Sequence, residues 1–253
     1  MKTNVTKQLS LVLTFVCLCL IGTTITSCSS DDDVKSYKKA VTLNAGETFV
    51  IEKNSEWKSA NLFVASVKDN VITANCVGKT QVVSPDGKID VAVKATNFMF
   101  EEPSLKWGAS KSEIKSYMKG CTLTKEDSKG LGYEGKGFVY AYVYLFEENK
   151  LETSSMYIPA RYVDLSTDFL KQRYYPISAD DDFVYLIDPL QETFVGVTAQ
   201  ALGSNVYVLV IYEKYTNDKN NTRFNSLKKA FGKRTYSAEE KNVIKLLKQK
   251  FSK

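Results

Sequence analysis

Phe138-Val-Tyr-Ala-Tyr-Val-Tyr-Leu-Phe146 is the stretch whose reading decides the fold. A run in which seven of nine residues are β-branched or aromatic favours a strand over a helix. Successive strand residues face opposite sides, so Phe138, Tyr140, Tyr142, Tyr144 and Phe146 point one way, and Val139, Ala141, Val143 and Leu145 the other. A strand apolar on both faces is covered on both faces. The smaller side suits a layer of helices. The aromatic side must then meet the C-terminal helices, the first domain or a ligand. Large aromatics mostly pack inside, which makes core the simpler expectation. An exposed ladder of Tyr140, Tyr142 and Tyr144 would instead be a platform for a glycan or a protein.

Working outward, Ser110-Lys-Ser-Glu113 is a capping box, followed by Ile114, Tyr117 and Met118 at helical spacing and by Gly120 as a stop. Strands follow near Leu131–Tyr133, Gly137–Glu147 and Leu151–Ile158, with Glu147-Glu-Asn-Lys150 as a hairpin turn. The order then repeats. Ser166 to Tyr174 reads as a short capped helix, and Asp182–Asp188, Glu192–Ala201 and Asn205–Tyr215 read as strands. An internal echo offset by roughly 54 positions signals a duplicated unit. Residues 97–215 are therefore expected to be two α-β-β-β units sharing one antiparallel sheet, with both helices on one face. The opening Trp107-Gly-Ala-Ser-Lys-Ser-Glu-Ile-Lys-Ser-Tyr-Met118, with a tyrosine strand later, resembles repeats of β-lactamase-inhibitor proteins and of small outer-membrane assembly lipoproteins. That likeness implies a structural or inhibitor protein that binds a partner in the envelope.

Residues 36–96 have a different rhythm. Val41–Leu43, Thr48–Glu52, Leu62–Ala65, Val71–Ala74, Thr80–Val83 and Ile89–Val93 are short strand candidates divided by turn residues, which suggests a small β-sandwich. Gly46-Glu-Thr, Trp57-Lys-Ser-Ala-Asn61, Val64-Ala-Ser-Val67, Asn70-Val-Ile-Thr-Ala74 and Val77-Gly-Lys-Thr-Gln-Val82 resemble the bacterial immunoglobulin-like domain, group 2. The resemblance implies an immunoglobulin-like sandwich of the kind used in adhesins and surface lipoproteins, often as a spacer. The pattern departs at Asn75-Cys76. Trp57 is expected to pack rather than to bind sugar. The fold class is thus α+β joined to all-β: a sandwich, the duplicated domain, and C-terminal helices in 216–253.

The first 27 residues set the address. Lys2 and Lys7 precede the apolar run Leu9–Ile21, too short to span a bilayer but suited to a signal h-region. Thr26-Ser27-Cys28 resembles the lipobox of bacterial lipoproteins, in which the Cys28 thiol would become the thioether carrying diacylglycerol. An ordinary cleaved signal with an incidental cysteine is the alternative. Ser29-Ser-Asp-Asp-Asp33, within the tether 28–35, resembles the acidic export signal of Bacteroidota surface lipoproteins. The outer face of the outer membrane is the expected location, the periplasmic face the alternative.

Composition limits the chemistry. The chain has five cysteines and no histidine, which removes the commonest general base and metal ligand. Cys17 and Cys19 leave with the leader and Cys28 is acylated, so only Cys76 and Cys121 remain, expected as free thiols. Nothing in the spacing singles out a catalytic pair; a glycan-active enzyme using two carboxylates is the distant alternative. Asp180-Asp-Asp182 with Asp188 suggests calcium less than a polar hairpin tip, so no metal and no cofactor are expected. Residues 217–253 hold eleven Lys/Arg against three Asp/Glu. Phe224, Leu227 and Phe231 suggest one short helix. A capping box at Ser237-Ala-Glu-Glu240 suggests another, with Val243, Ile244, Leu246, Leu247 and Phe251 on one side. The basic face is expected to be solvated, with no nucleic-acid partner. The expected function is a non-catalytic binding or adhesion module for a glycan or protein ligand, held at the outer membrane by its lipid.

Overall fold

The computed structural model describes residues 37–216 and 235–252, which belong to one compact unit. The leader, Cys28, the acidic tether and the expected helix around Phe224–Phe231 lie outside the described residues. The chain folds as a β-rich α+β protein.

Two small sheets enclose the first core. β1 (Tyr37–Asn44), β7 (Gly87–Lys94), β6 (Gly78–Ser84) and β3 (Lys58–Ser59) form one; β2 (Thr48–Val50), β5 (Val71–Ala74) and β4 (Ala65–Lys68) form the other. Ile51, Trp57, Val64, Ile72, Val82, Ile89 and Val91 fill the space between them. Trp57 packs its ring edge on Tyr37 at 5.8 Å and donates its indole N–H to the Lys53 carbonyl at 2.9 Å, the packing role its sequence context suggests. β1 runs parallel to β7. A Cβ on Gly87 would sit 1.9 Å from the Tyr37 carbonyl oxygen, so only glycine allows β1 to begin there. Leu62–Val64 form a turn rather than the expected strand. Asn61 is the cause: its side-chain oxygen accepts from the Phe63 amide at 2.9 Å, and pairing starts only at Ala65.

The second body is one eight-stranded antiparallel sheet in the order β12-β13-β14-β15-β11-β10-β9-β8. Helix α1 (Lys111–Tyr117) precedes the meander β8 (Leu123–Glu126), β9 (Gly130–Glu134), β10 (Ala141–Glu147), β11 (Lys150–Pro159). Helix α2 (Val163–Lys171) precedes its counterpart β12 (Tyr175–Ala179), β13 (Val184–Ile187), β14 (Thr193–Leu202), β15 (Asn205–Lys214). The meanders meet at β11 and β15. Each unit therefore has four strands, not three. The extra strands, β8 and β12, are the two edges of the sheet, mostly exposed, so they lack the alternation that reveals a strand.

Ile114 and Met118 of α1, Phe169 and Leu170 of α2, and Leu247 and Phe251 of α3 (Ala238–Phe251) share one core with Tyr142, Tyr144, Met156, Val197, Val210 and Tyr212 of the sheet. The three α-helices among the described residues thus cover one face. That face carries the aromatic side of β10, the reverse of the expected arrangement, in which the small side lay beneath helices. Tyrosines fit there because the segment 101–104 passes over the sheet and offers partners for their hydroxyls.

Helix starts follow two rules. Ser110 and Ser237 each form the expected capping box, with Glu113 and Glu240. Helix α2 begins earlier than expected, at Val163, straight from a 3-10 turn (Ala160–Tyr162) and with no side-chain cap. Ser166 and Thr167, the expected start, are buried and back-bond the Val163 carbonyl.

Candidate functional site

The tyrosine ladder does not stand as one platform. Tyr142 and Tyr144 are 2 % and 0 % exposed, and Tyr140 is 54 % exposed. Tyr142 donates to the Glu101 carbonyl at 2.8 Å, while the Tyr144 oxygen accepts from the Ser104 amide at 3.3 Å and lies 3.1 Å from the Met118 sulfur. Burial pushes both phenols above their ordinary range, so they stay neutral and tie the 101–104 segment to the sheet, Tyr142 as donor and Tyr144 as acceptor. They are core residues, not ligand contacts.

The ladder breaks at a tight loop before β10. Gly135 N–H donates to the Tyr140 carbonyl at 2.9 Å, and Val139 N–H to that of Lys136 at 3.0 Å. A Cβ on Gly135 would lie 2.0 Å from the Val139 carbonyl oxygen, so the loop requires glycine there. Val139 and Phe138 turn into the helix-side core, and the Tyr140 ring is set against Tyr207. Alternation thus fails three residues before it resumes.

A different aromatic group results, built across three strands on the face without helices. The Tyr140 and Tyr207 rings lie 4.6 Å apart at 35°, and Tyr157 meets Tyr207 edge-on at 6.4 Å. Tyr140 N–H donates to the Tyr157 carbonyl at 2.7 Å, which fixes the ring's base. Tyr207 is buried, and desolvation with the adjacent Tyr140 holds its phenol above the ordinary value. Tyr207 pairs with Pro159 on one side and Gln200 on the other. Arg161, exposed on the 3-10 turn after β11, sets its guanidinium over the Tyr162 ring at 4.7 Å, and its charge weakly opposes that rise. The Oε1 atom of Gln200 is buried and has no hydrogen-bond partner among the described residues. Of these five residues only Tyr140 was singled out in the sequence. Tyr157, Tyr207 and Gln200 come from separate strands aligned by register, and Arg161 from the turn after β11.

A second feature joins the two bodies. Gln172, at the end of α2, is buried. Its Oε1 accepts from the Thr96 and Asn97 amides at 2.8 and 3.0 Å, and its Nε2 donates to Thr96 Oγ1 and Asp168. Its carbonyl accepts from Val77 N–H at 2.7 Å. Arg173 donates to the Asn97 carbonyl, and Asn61 to that of Pro189. Beneath them Tyr174 donates to Glu102 at 2.6 Å, with Arg173 at 3.9 Å. Burial raises the Glu102 carboxyl above its ordinary value, against the opposing pull of Tyr174 and Arg173. A cleft of about 370 Å³ remains at this seam, lined by Ala45, Cys76, Gln172, Tyr175, Pro176 and Phe251 among others.

No family model, curated protein or solved structure matches this chain. Function is therefore to be sought in its own side chains.

The remaining sequence candidates serve the fold. Asp180 accepts from the Asp182 and Phe183 amides and from the Tyr185 hydroxyl at 2.7 Å, and Asp188 caps the turn to Thr193. Among the described residues no group of three Cys, Asp or Glu could hold a metal ion. Cys76 and Cys121 are free; burial pushes the Cys76 thiol up to about 12, making it unreactive. A groove of about 590 Å³ beside α1 is flanked by the Lys106–Glu113 ion pair. Among the described residues no helix is long and apolar enough to cross a membrane.

Proposed function

We propose that this chain is an outer-membrane lipoprotein, acylated at Cys28, whose body is a non-catalytic binding arm displayed at the cell surface. The immunoglobulin-like reading of residues 36–96 is part of it: two facing sheets, a parallel β1–β7 pair and a buried Trp57 all suit such a spacer. The observation that carries the reading is the position of Tyr37. β1 runs eight residues from Tyr37 to Asn44, about 26 Å at the usual rise, and Ala45 already lines the seam. β1 therefore begins at one end of the sandwich, and the second body is carried at the other. Gln172 and Arg173 stiffen the join, as a presenting arm requires. The absence of histidine and the structural engagement of Asp180, Asp188 and Glu102 favour binding over catalysis.

Protease shaving of intact cells tests the placement. The wild-type body should be digested or labelled from outside, and Cys28→Ala should remove it from the outer membrane. Protection in intact cells, with digestion only after envelope rupture, would move the arm to the periplasmic face.

A second reading, a protein-binding structural or inhibitor module, is favoured by one feature. Leu62, Leu190, Tyr175 and Ile177 are exposed near the seam beside edge strand β12. Pro176 and the irregularity before Ser178 oppose direct strand addition there.

A further inference from the structure

We infer that the outer face of the four-stranded sheet β1-β7-β6-β3 is a binding trough for an acidic polysaccharide. The inference rests on the proposed binding function and names its ligand class. Strand alternation turns Val41, Leu43, Val82, Ile89, Val91 and Val93 into the sandwich core, so their neighbours form the opposite face. Register sorts those neighbours into rows. Lys38 lies beside Lys88 and Val83, with Lys58 next in line. Ala40 lies beside Asp90 and Gln81, Thr42 beside Ala92 and Lys79, and Asn44 beside Lys94. Ala60 N–H donates to the Gln81 carbonyl at 2.8 Å, which extends the second row.

The middle rows are low, because Ala40, Thr42, Ala60 and Ala92 are small. They leave a groove of about 570 Å³ on this face. It runs from β1 to the end of β3, about 14 Å at the usual strand spacing. Lys38, Lys88 and Lys58 stand on one side of it, and Lys79 and Lys94 towards the other. Lys58 pairs with Glu56 at 2.9 Å, and Lys88 lies 4.0 Å from Asp90. Lys38, Lys79 and Lys94 are exposed and make no ion pair among the described residues.

Unpaired cations on both banks of a shallow groove complement a chain whose negative charges repeat along its length. Lysine suits such a ligand, being a point charge without the fixed fork of a guanidinium. The floor narrows the choice. Asp90 Oδ1 accepts from Gln81 Nε2 at 2.7 Å, and this exposed pair leaves acceptor oxygens facing the groove. Sugar hydroxyls would donate to them. Polyphosphate brings no donor and meets Asp90 as a like charge. An acidic peptide laid across strands that already pair with one another finds no backbone ladder to join.

The test is calorimetric titration of the full chain, in nonionic detergent, with polygalacturonate, heparin, neutral dextran, polyglutamate and polyphosphate. At least one of the two acidic polysaccharides should bind saturably, more weakly as salt is raised, and dextran should not bind. Lys79→Glu with Lys94→Glu should weaken that binding about tenfold or more, whereas Lys241→Glu with Lys245→Glu, the same charge change on exposed positions of α3, should leave it within about twofold. Asp90→Asn should relax the preference and let polyglutamate and polyphosphate bind better. All five side chains are exposed, so these variants should keep the wild-type melting temperature. No saturable binding to either acidic polysaccharide, tighter binding of polyglutamate or polyphosphate, or an equal loss in the α3 variant would overturn the inference. A chain that is surface-exposed by protease shaving yet binds neither polysaccharide sinks this trough and leaves the tethered arm standing.

Discussion

The two halves of the eight-stranded sheet share one topology but not one job. In the first, α1 spans seven residues, starts at a capping box and has Ile114 as its buried residue. In the second, α2 has no side-chain cap, buries Ser166, Thr167, Phe169 and Leu170, and lies under α3. One helix is specified by its own ends, the other by what surrounds it. The same helix that is deepest in the core also carries Gln172 and Arg173 just beyond its end, and these hold the sandwich. Two units of like topology are thus unlike in role: the first closes one end of the sheet, and the second holds the sandwich.

That contrast can be broken or sharpened by substitution. Phe169→Ala should cost about 4 kcal/mol in urea unfolding, and Ile114→Ala in α1 clearly less; equal losses would mean that the helices are equivalent after all. Gln172→Ala should cost about 2 kcal/mol, because the part-buried Thr96 amide and the buried Asn97 amide lose their acceptor, and it should open 95–104 to limited proteolysis. A resistant linker would contradict the clamp. Ser110→Ala should cost about 1 kcal/mol through the lost cap, whereas Ser166→Ala should change stability by less than about 0.5 kcal/mol, its hydroxyl only back-bonding Val163.

The smallest effect concerns acid. Glu102 has a folded value raised above the ordinary 4.5, burial being the main cause, so its protonated form favours the fold. Its stabilising contribution is complete below 4.5 and is lost as pH rises through the raised value. Glu102→Gln should therefore flatten the decline in urea midpoint on the alkaline side of 4.5. An unchanged slope would show that the carboxyl titrates as an exposed one.

What could be read in the sequence depended on whether local residues decided the outcome. Ser110, Glu113, Ser237 and Glu240 mark helix starts because a cap is a local contact. The turns at Glu148–Asn149 and Asp69–Asn70 are equally local, each with two residues at positive φ between paired strands. β8 and β12 were invisible because an exposed edge has no apolar period. The ladder misled for another reason: Tyr140 obeys the alternation on paper, but the Gly135 loop resets the phase just before the strand forms. Tyr207 carried no signal at all, since only the fold brings it from β15 against Tyr140.

The proposal that the arm hangs from a lipid is tested most directly by intact-mass spectrometry of the full-length gene product purified from membranes. The account predicts a chain beginning at Cys28 and heavier than its residues by diacylglycerol and any further acyl group, with that mass lost in Cys28→Ala. An unmodified Cys28 inside a soluble chain that begins elsewhere would contradict it.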